Sequence, residues 1–274
     1  MLIMSTAVVN LLFFAAVPGK FFAKSVMAGV YLGIAMTLSL ALASTVNMLH
    51  PALAKIAFAM FFGLTFVLIV FLNGELFTGN CLTTAFPLIN HSQTLSQLVK
   101  LWVVCLFVNS VDVLLFGFLF IQSKSLDSLI YPYLKSLVYA KQDFTLISLF
   151  IKSVLCNLIV CIATYTALKM KDELAKTVIM LLTIMIFVLC GFDHCIANIG
   201  LYVMQILVDP SVLNWKLIFE SISLSILGNV VGGAGLLALP LYFSSRETKR
   251  SSQVTSGLVD CFLLYFFSAT IRIR

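Results

Sequence analysis

The chain has 274 residues, of which 61% are hydrophobic and only 10% charged, with a mean hydropathy of +1.10. That is far more apolar than an average soluble domain and excludes water as the main solvent. The net charge of +6 does not signal nucleic acid either, because the 17 Lys and Arg stand scattered at the ends of apolar runs and form no basic face.

Taken in chain order, Met1 to Val17 is apolar but carries neither an early positive charge nor a small-residue cleavage site. It is read as a retained segment lying at the interface. A helix that crosses a bilayer takes about 20 apolar residues. The sequence offers six such spans, at about 22–48, 51–90, 99–122, 143–169, 175–208 and 217–243. The second and fifth are too long for one simple helix, and each is interrupted near its middle by polar, glycine-bearing residues. These are GELFTGN at Gly74–Asn80 and GFDHCIAN at Gly191–Asn198.

Irregular backbone inside hydrocarbon survives only where protein or a watery cavity satisfies its amides and carbonyls. Breaks at matching positions of two halves therefore predict a central substrate path. Spans 1–3 and 4–6 form the halves, and an odd number of spans in each obliges an inverted repeat. Asn109 in span 3 and Asn229 in span 6 fit that symmetry. With the N-terminus inside, eleven Lys and Arg near span ends fall on the cytoplasmic side and five outside, Lys55, Lys124, Lys135, Lys141 and Lys216, which predicts both termini in the cytoplasm. Residues 1–250 are read as one all-α membrane domain and 251–274 as a tail. The tail's apolar run, Gly257 to Phe267, is too short to cross and suits an interfacial anchor.

Within GELFTGN a carboxylate and a hydroxyl accompany two glycines at a helix break, although a plain loop between helices would read the same. In GFDHCIAN, His194 stands beside Asp193, and an ionisable residue at that depth is a functional candidate by default. His194 is the only histidine within a span, since His50 and His91 fall at joints; a satisfied core histidine is the plainer alternative. Cys81, Cys105, Cys156, Cys161, Cys190 and Cys195 lie in apolar context and act as small hydrophobes, with no disulfide framework indicated. Cys190, His194 and Cys195 could in principle hold zinc or copper. That trio lacks a fourth ligand, so no metal or other cofactor is expected. A neutral-solute pore of the aquaporin class would share the architecture, but the two breaks carry no NPA repeat.

Four stretches, Val70–Gly79, Ser153–Ala163 with CNLIVCIA, GFDHCIAN, and GNVVGG at Gly228–Gly233, occur in the order and spacing of the formate/nitrite transporter signatures. Over roughly residues 20–245 the chain resembles that family. The resemblance implies an aquaporin-like protomer within a homopentamer, each protomer with its own pore, in an integral membrane setting such as a bacterial inner membrane. The implied cargo is a small monovalent anion, formate first and nitrite second, with hydrosulfide and lactate as further family substrates, and with protons as a partner through the central histidine. No enzymatic reaction is implied.

By that similarity Leu76 lies at the cytoplasmic constriction and Thr78 within hydrogen-bonding reach of His194. Phe62, Phe66 and Phe187 match the outer constriction, where ordinary packing would otherwise explain them in a chain with 24 Phe. Lys141 matches a lysine thought to draw anions toward the outer vestibule, a solvated loop lysine being the alternative. Asn157 and Asn198 match positions that line the path or tie the broken helices together. Lys152 stands where relatives carry a cation, with Glu75 or Asp112 as conceivable partners. Departures from the pattern are Asp112 and Ser153 in place of glycines, Ile184 in place of a proline and Asp193 in place of a glutamate. Asp112 is expected to face the protein interior or to be protonated, and it puts close helix packing there in question.

Overall fold

The computed structural model describes residue 14, residues 17–125 and residues 127–244, so the apolar N-terminal segment and the tail after Arg250 lie outside the described residues. The described chain is helical throughout and contains no strand. In order the helices are α1 (Pro18–Asn47), α2 (Pro51–Phe62), α3 (Leu64–Phe71), α4 (Phe77–Thr83), α5 (Ala85–Ile89), α6 (Leu95–Gln122), α7 (Asp127–Gln142), α8 (Leu146–Lys169), α9 (Glu173–Leu189), α10 (Cys195–Val208) and α11 (Trp215–Val230). A looser π-type turn, Val231–Leu237, carries the last helix on.

Among the described residues five helices are long and apolar enough to cross a bilayer: Pro18–Asn47, Pro51–Phe71, Leu95–Gln122, Leu146–Lys169 and Trp215–Ser244. The remaining long apolar run is divided into α9 and α10, of 17 and 14 residues.

Local chemistry sets the ends. Pro18 and Pro51 occupy first turns, where a missing N–H costs nothing. Thr94 with Gln97, and Thr145 with Ser148, close capping boxes at the starts of α6 and α8. The stretch between the third and fourth apolar runs, which sequence reading leaves as a joint, forms α7 in spite of Pro132. It buries Ile130, Leu134 and Val138, spaced four apart along one face.

The same device stops α3 and α9. Asn73 and Gly191 take left-handed conformations, with φ of 55° and 71°. Gly74 N then donates to Ile69 O at 2.8 Å, and Phe192 N to Phe187 O at 2.9 Å, the six-to-one bond of a Schellman cap. Asn73 is one of the few side chains that tolerate this backbone, and Gly191 has no Cβ to strain.

In the packing α1 lies against α2 and α6, α8 lies against α9 and α11, and α2 meets α9. Both inner crossings are close because glycine stands at the contact. A Cβ on Gly29 would lie 2.6 Å from Asp112 Cβ, and one on Gly228 would lie 2.5 Å from Ser153 Cβ. The two positions that depart from glycine in the family pattern thus meet glycines on the facing helix, and the crossings stay tight. Asp112 faces inward, with 8% of its surface exposed.

Candidate functional site

The site is built where α4 and α10 begin. A helix that starts inside the packed protein exposes amides with no preceding carbonyl, and the loop before it exposes carbonyls. Two buried asparagines serve these groups in the same way. Asn109 Oδ1 accepts the Phe77 amide at 2.9 Å, and its Nδ2 donates to Ser25 O at 2.8 Å and Glu75 O at 3.1 Å. Asn229 Oδ1 accepts the Cys195 amide at 3.0 Å, and its Nδ2 donates to Ser153 O at 2.7 Å and Asp193 O at 3.0 Å. Asn157 joins the halves, donating to Thr78 O at 3.2 Å and Asn229 O at 2.6 Å. Thiols help: Cys105 donates to Glu75 O at 3.3 Å and Cys161 to Thr78 O at 3.5 Å.

His194 caps α10. Its Nδ1 accepts the Ala197 amide at 3.3 Å, so in the neutral ring the proton sits on Nε2. Nε2 lies 3.0 Å from Thr78 Oγ1 and donates to it, linking the start of α10 to α4. The imidazole is 4% exposed and stacks on Phe187 with ring centroids 6.1 Å apart. It is turned into the protein interior.

Beside it, Asp193 Oδ1 accepts from Lys141 Nζ at 2.7 Å and from Asn198 Nδ2 at 3.0 Å, and Lys141 also reaches Phe192 O at 3.1 Å. Lys141 comes from the last turn of α7, so it is a fixed, mostly buried cation and not a solvated loop lysine. Lys152 is not drawn to Glu75 or Asp112; it lines the first cavity described next. No group of three metal-ligating side chains occurs among the described residues, and Cys190 is exposed whereas Cys195 is buried.

Three cavities follow one another along this axis. The first, of about 280 Å³, is lined by Lys55, Lys141, Lys152, Asp193, His194 and Asn198, and by Phe62 and Phe187 at its floor. A chamber of about 20 Å³ shares Phe62, Phe187 and His194 with it and adds Thr65, Phe66 and Leu76. The third, of about 190 Å³, shares Phe66 and Leu76 with the chamber and is lined further by Lys24, Glu75 and Asn80. Phe62 and Phe187 meet edge to face at 6.2 Å.

Phe66 lines the 20 Å³ chamber together with Phe62 and Phe187 and, with Leu76, also borders the 190 Å³ cavity. It follows Phe62 by four residues, about one helical turn or 6 Å. Asn157 lines none of these three cavities, being consumed by its two backbone bonds. Thr78 also stays behind the wall and reaches the path only through His194. Sequence reasoning did not single out Thr65, Asn80 or Lys24 as lining residues. Thr65 carried a signal, as a lone hydroxyl in the run FFGLTFVLIV.

The formate/nitrite transporter family model matches residues 13–243. A formate-nitrite transporter of Plasmodium ovale is 26% identical over 240 residues, covering 82% of this chain and 76% of that protein. The nitrite transporter NirC of Escherichia coli (strain K12) is 26% identical over 238 residues, covering 85% and 86%. Among solved structures, one described as an FNT family ion channel superposes with a TM-score of 0.80 at 23% identity, covering 88% of this chain and 96% of its own. Another, described as a pentameric formate channel with formate bound, gives 0.72 at 21% identity, covering 82% and 96%.

Proposed function

The chain belongs to the formate/nitrite transporter family, and from that premise we propose that it conducts small monovalent anions of weak acids, formate first and nitrite second, across a membrane. The observation that carries the proposal is the Thr78–His194 pair, buried beside a small chamber between two larger cavities. Three lysines, Lys55, Lys141 and Lys152, against the carboxylates of Asp143 and Asp193 leave the 280 Å³ cavity a net positive lining that favours an anionic guest. Phe62 with Phe187, and Phe66 with Leu76, strip its water on either side. A bare anion in so apolar a chamber is costly. His194 lowers that cost when its Nε2–H turns from Thr78 Oγ1 to the guest, aided by the positive end of α10.

Proton coupling through His194 is part of the proposal. The neutral ring holds only the Nε2 proton, which it cannot give up without becoming an imidazolate. Delivery of a proton needs a second one on Nδ1, at the expense of the Ala197 amide bond. A guest neutralised in this way crosses the phenyl walls far more cheaply than its anion. The 20 Å³ chamber favours formate and nitrite over a guest as large as lactate.

We read the architecture as six spans in two inverted halves, the second and fifth interrupted. The matched Schellman caps and the matched Asn109 and Asn229 bonds support this. Homopentamer formation is supported by the pentameric relative in fold, and cytoplasmic termini by the Lys and Arg distribution. A bacterial inner membrane is one setting, and relatives in Plasmodium extend the family to others. The test is uptake of formate and nitrite by liposomes holding the purified protein. Rates well above those of protein-free liposomes are expected, and equal rates would remove the proposal.

A further inference from the structure

Thr65 lies on α3 between Phe62 and Phe66 in sequence, in an otherwise apolar run, and lines the 20 Å³ chamber together with His194. The residue is 5% exposed, and its Oγ1 is fully buried without a hydrogen-bond partner. Other helical threonines in this chain behave differently. Thr37, Thr45, Thr164, Thr177 and Thr183 each donate to the carbonyl four residues back, at 2.7 to 3.0 Å. Such back-bonding is the default for a hydroxyl in an apolar helix. The junction between α2 and α3 at Gly63 falls between Thr65 and the acceptor it would use, Phe61. Its hydroxyl is thereby left with unused hydrogen-bonding capacity at the wall of the narrowest part of the path.

We propose that the Thr65 hydroxyl is a hydrogen-bonding contact for a small oxyanion in the chamber and so selects which weak acid passes. The inference rests on the channel reading given above. A carboxylate or a nitrite presents two oxygens. One is served by the His194 Nε2–H as it turns from Thr78 Oγ1 and the second by Thr65, His194 and Thr65 both lining the same chamber. Hydrosulfide presents a single, weakly accepting sulfur and gains little from a second donor. Thr65 thus favours oxyanions without adding a charge that would trap them.

The test compares formate and hydrosulfide flux in proteoliposomes for the parent chain, Thr65→Val and Thr65→Ser. Valine keeps the shape and removes an unbonded buried hydroxyl, so the variant is expected to fold; Thr65→Ala serves the same purpose should valine not. Losing a donor to a charged guest slows formate by about tenfold or more, while hydrosulfide stays close to the parent rate. Serine, which keeps the hydroxyl, recovers formate flux. A Thr65→Val protein with the parent's ratio of formate to hydrosulfide flux would overturn the inference and leave the channel reading standing. A parent chain that moves neither anion would overturn both.

Discussion

Replacing Asn229 with leucine, a side chain of similar size and shape, tests how the second helix break is held. Asn229 is fully buried and makes three bonds to backbone: from the Cys195 amide at 3.0 Å, to Ser153 O at 2.7 Å and to Asp193 O at 3.0 Å. Each such bond contributes about 1 kcal/mol net, and a buried group left without a partner costs about 1–3 kcal/mol. The Cys195 amide loses its acceptor, whereas a carbonyl tolerates the loss better. Two lost carbonyl bonds at about 1 kcal/mol each and one unpaired amide at about 1–3 kcal/mol sum to about 3–5 kcal/mol, which in a chain of this size corresponds to roughly 6–20 °C in melting temperature. The buried thiols of Cys81, Cys105, Cys156, Cys161 and Cys195 supply the assay, since a thiol-reactive fluorophore reports their exposure as the detergent-solubilised protein is heated. An Asn229→Leu protein that melts with the parent would refute the view that this amide holds the break. Asn109→Leu is expected to behave alike, because its bonds follow the same pattern.

Other substitutions probe other parts of the structure. Lys141→Met leaves the Asp193 carboxylate, with its side chain 6% exposed, without its cation and is expected to cost about 3–5 kcal/mol. Adding Asp193→Asn should recover much of that in the same melting assay. Gly232→Val drives a side chain into the Val154 carbonyl on α8, so the variant should lose its monodisperse peak on size exclusion. At the loop after α10, the Ser211 hydroxyl and amide hold the Asp209 carboxyl below its ordinary value of 3.8. A depressed folded pKa stabilises above the unfolded value and is lost as pH falls through the lowered one. The melting difference between parent and Asp209→Asn should therefore be present at neutral pH and shrink only in acid below the ordinary carboxylate range.

The sequence makes some of this legible and hides the rest for physical reasons. Apolar length marks the helices that can cross a bilayer, because that signal needs no knowledge of packing. The two polar interruptions stand out because Gly74 and Gly191 sit beside Glu75 and Asp193 in runs that are otherwise hydrocarbon. The helix α7 escapes notice, since Pro132 argues against a helix and its apolar face is narrow. That oversight also leaves Lys141 looking like a loop residue, when its position at the end of α7 is what carries it to Asp193. Likeness assigns Phe66 to a region, and the structure adds that it borders both the 20 Å³ chamber and the 190 Å³ cavity. Asp112 raises a doubt about close packing that only the facing helix can answer, and the answer is Gly29.

The account turns on His194 as the group that meets the anion and couples it to protons. The direct measurement is formate uptake into proteoliposomes across a pH series, with leak through protein-free liposomes subtracted, for the parent and for His194→Phe. The parent rate should climb as the feeding side is acidified, and the variant should lose that slope while keeping its oligomeric size. An unchanged pH slope in His194→Phe would contradict the proposed role of the histidine.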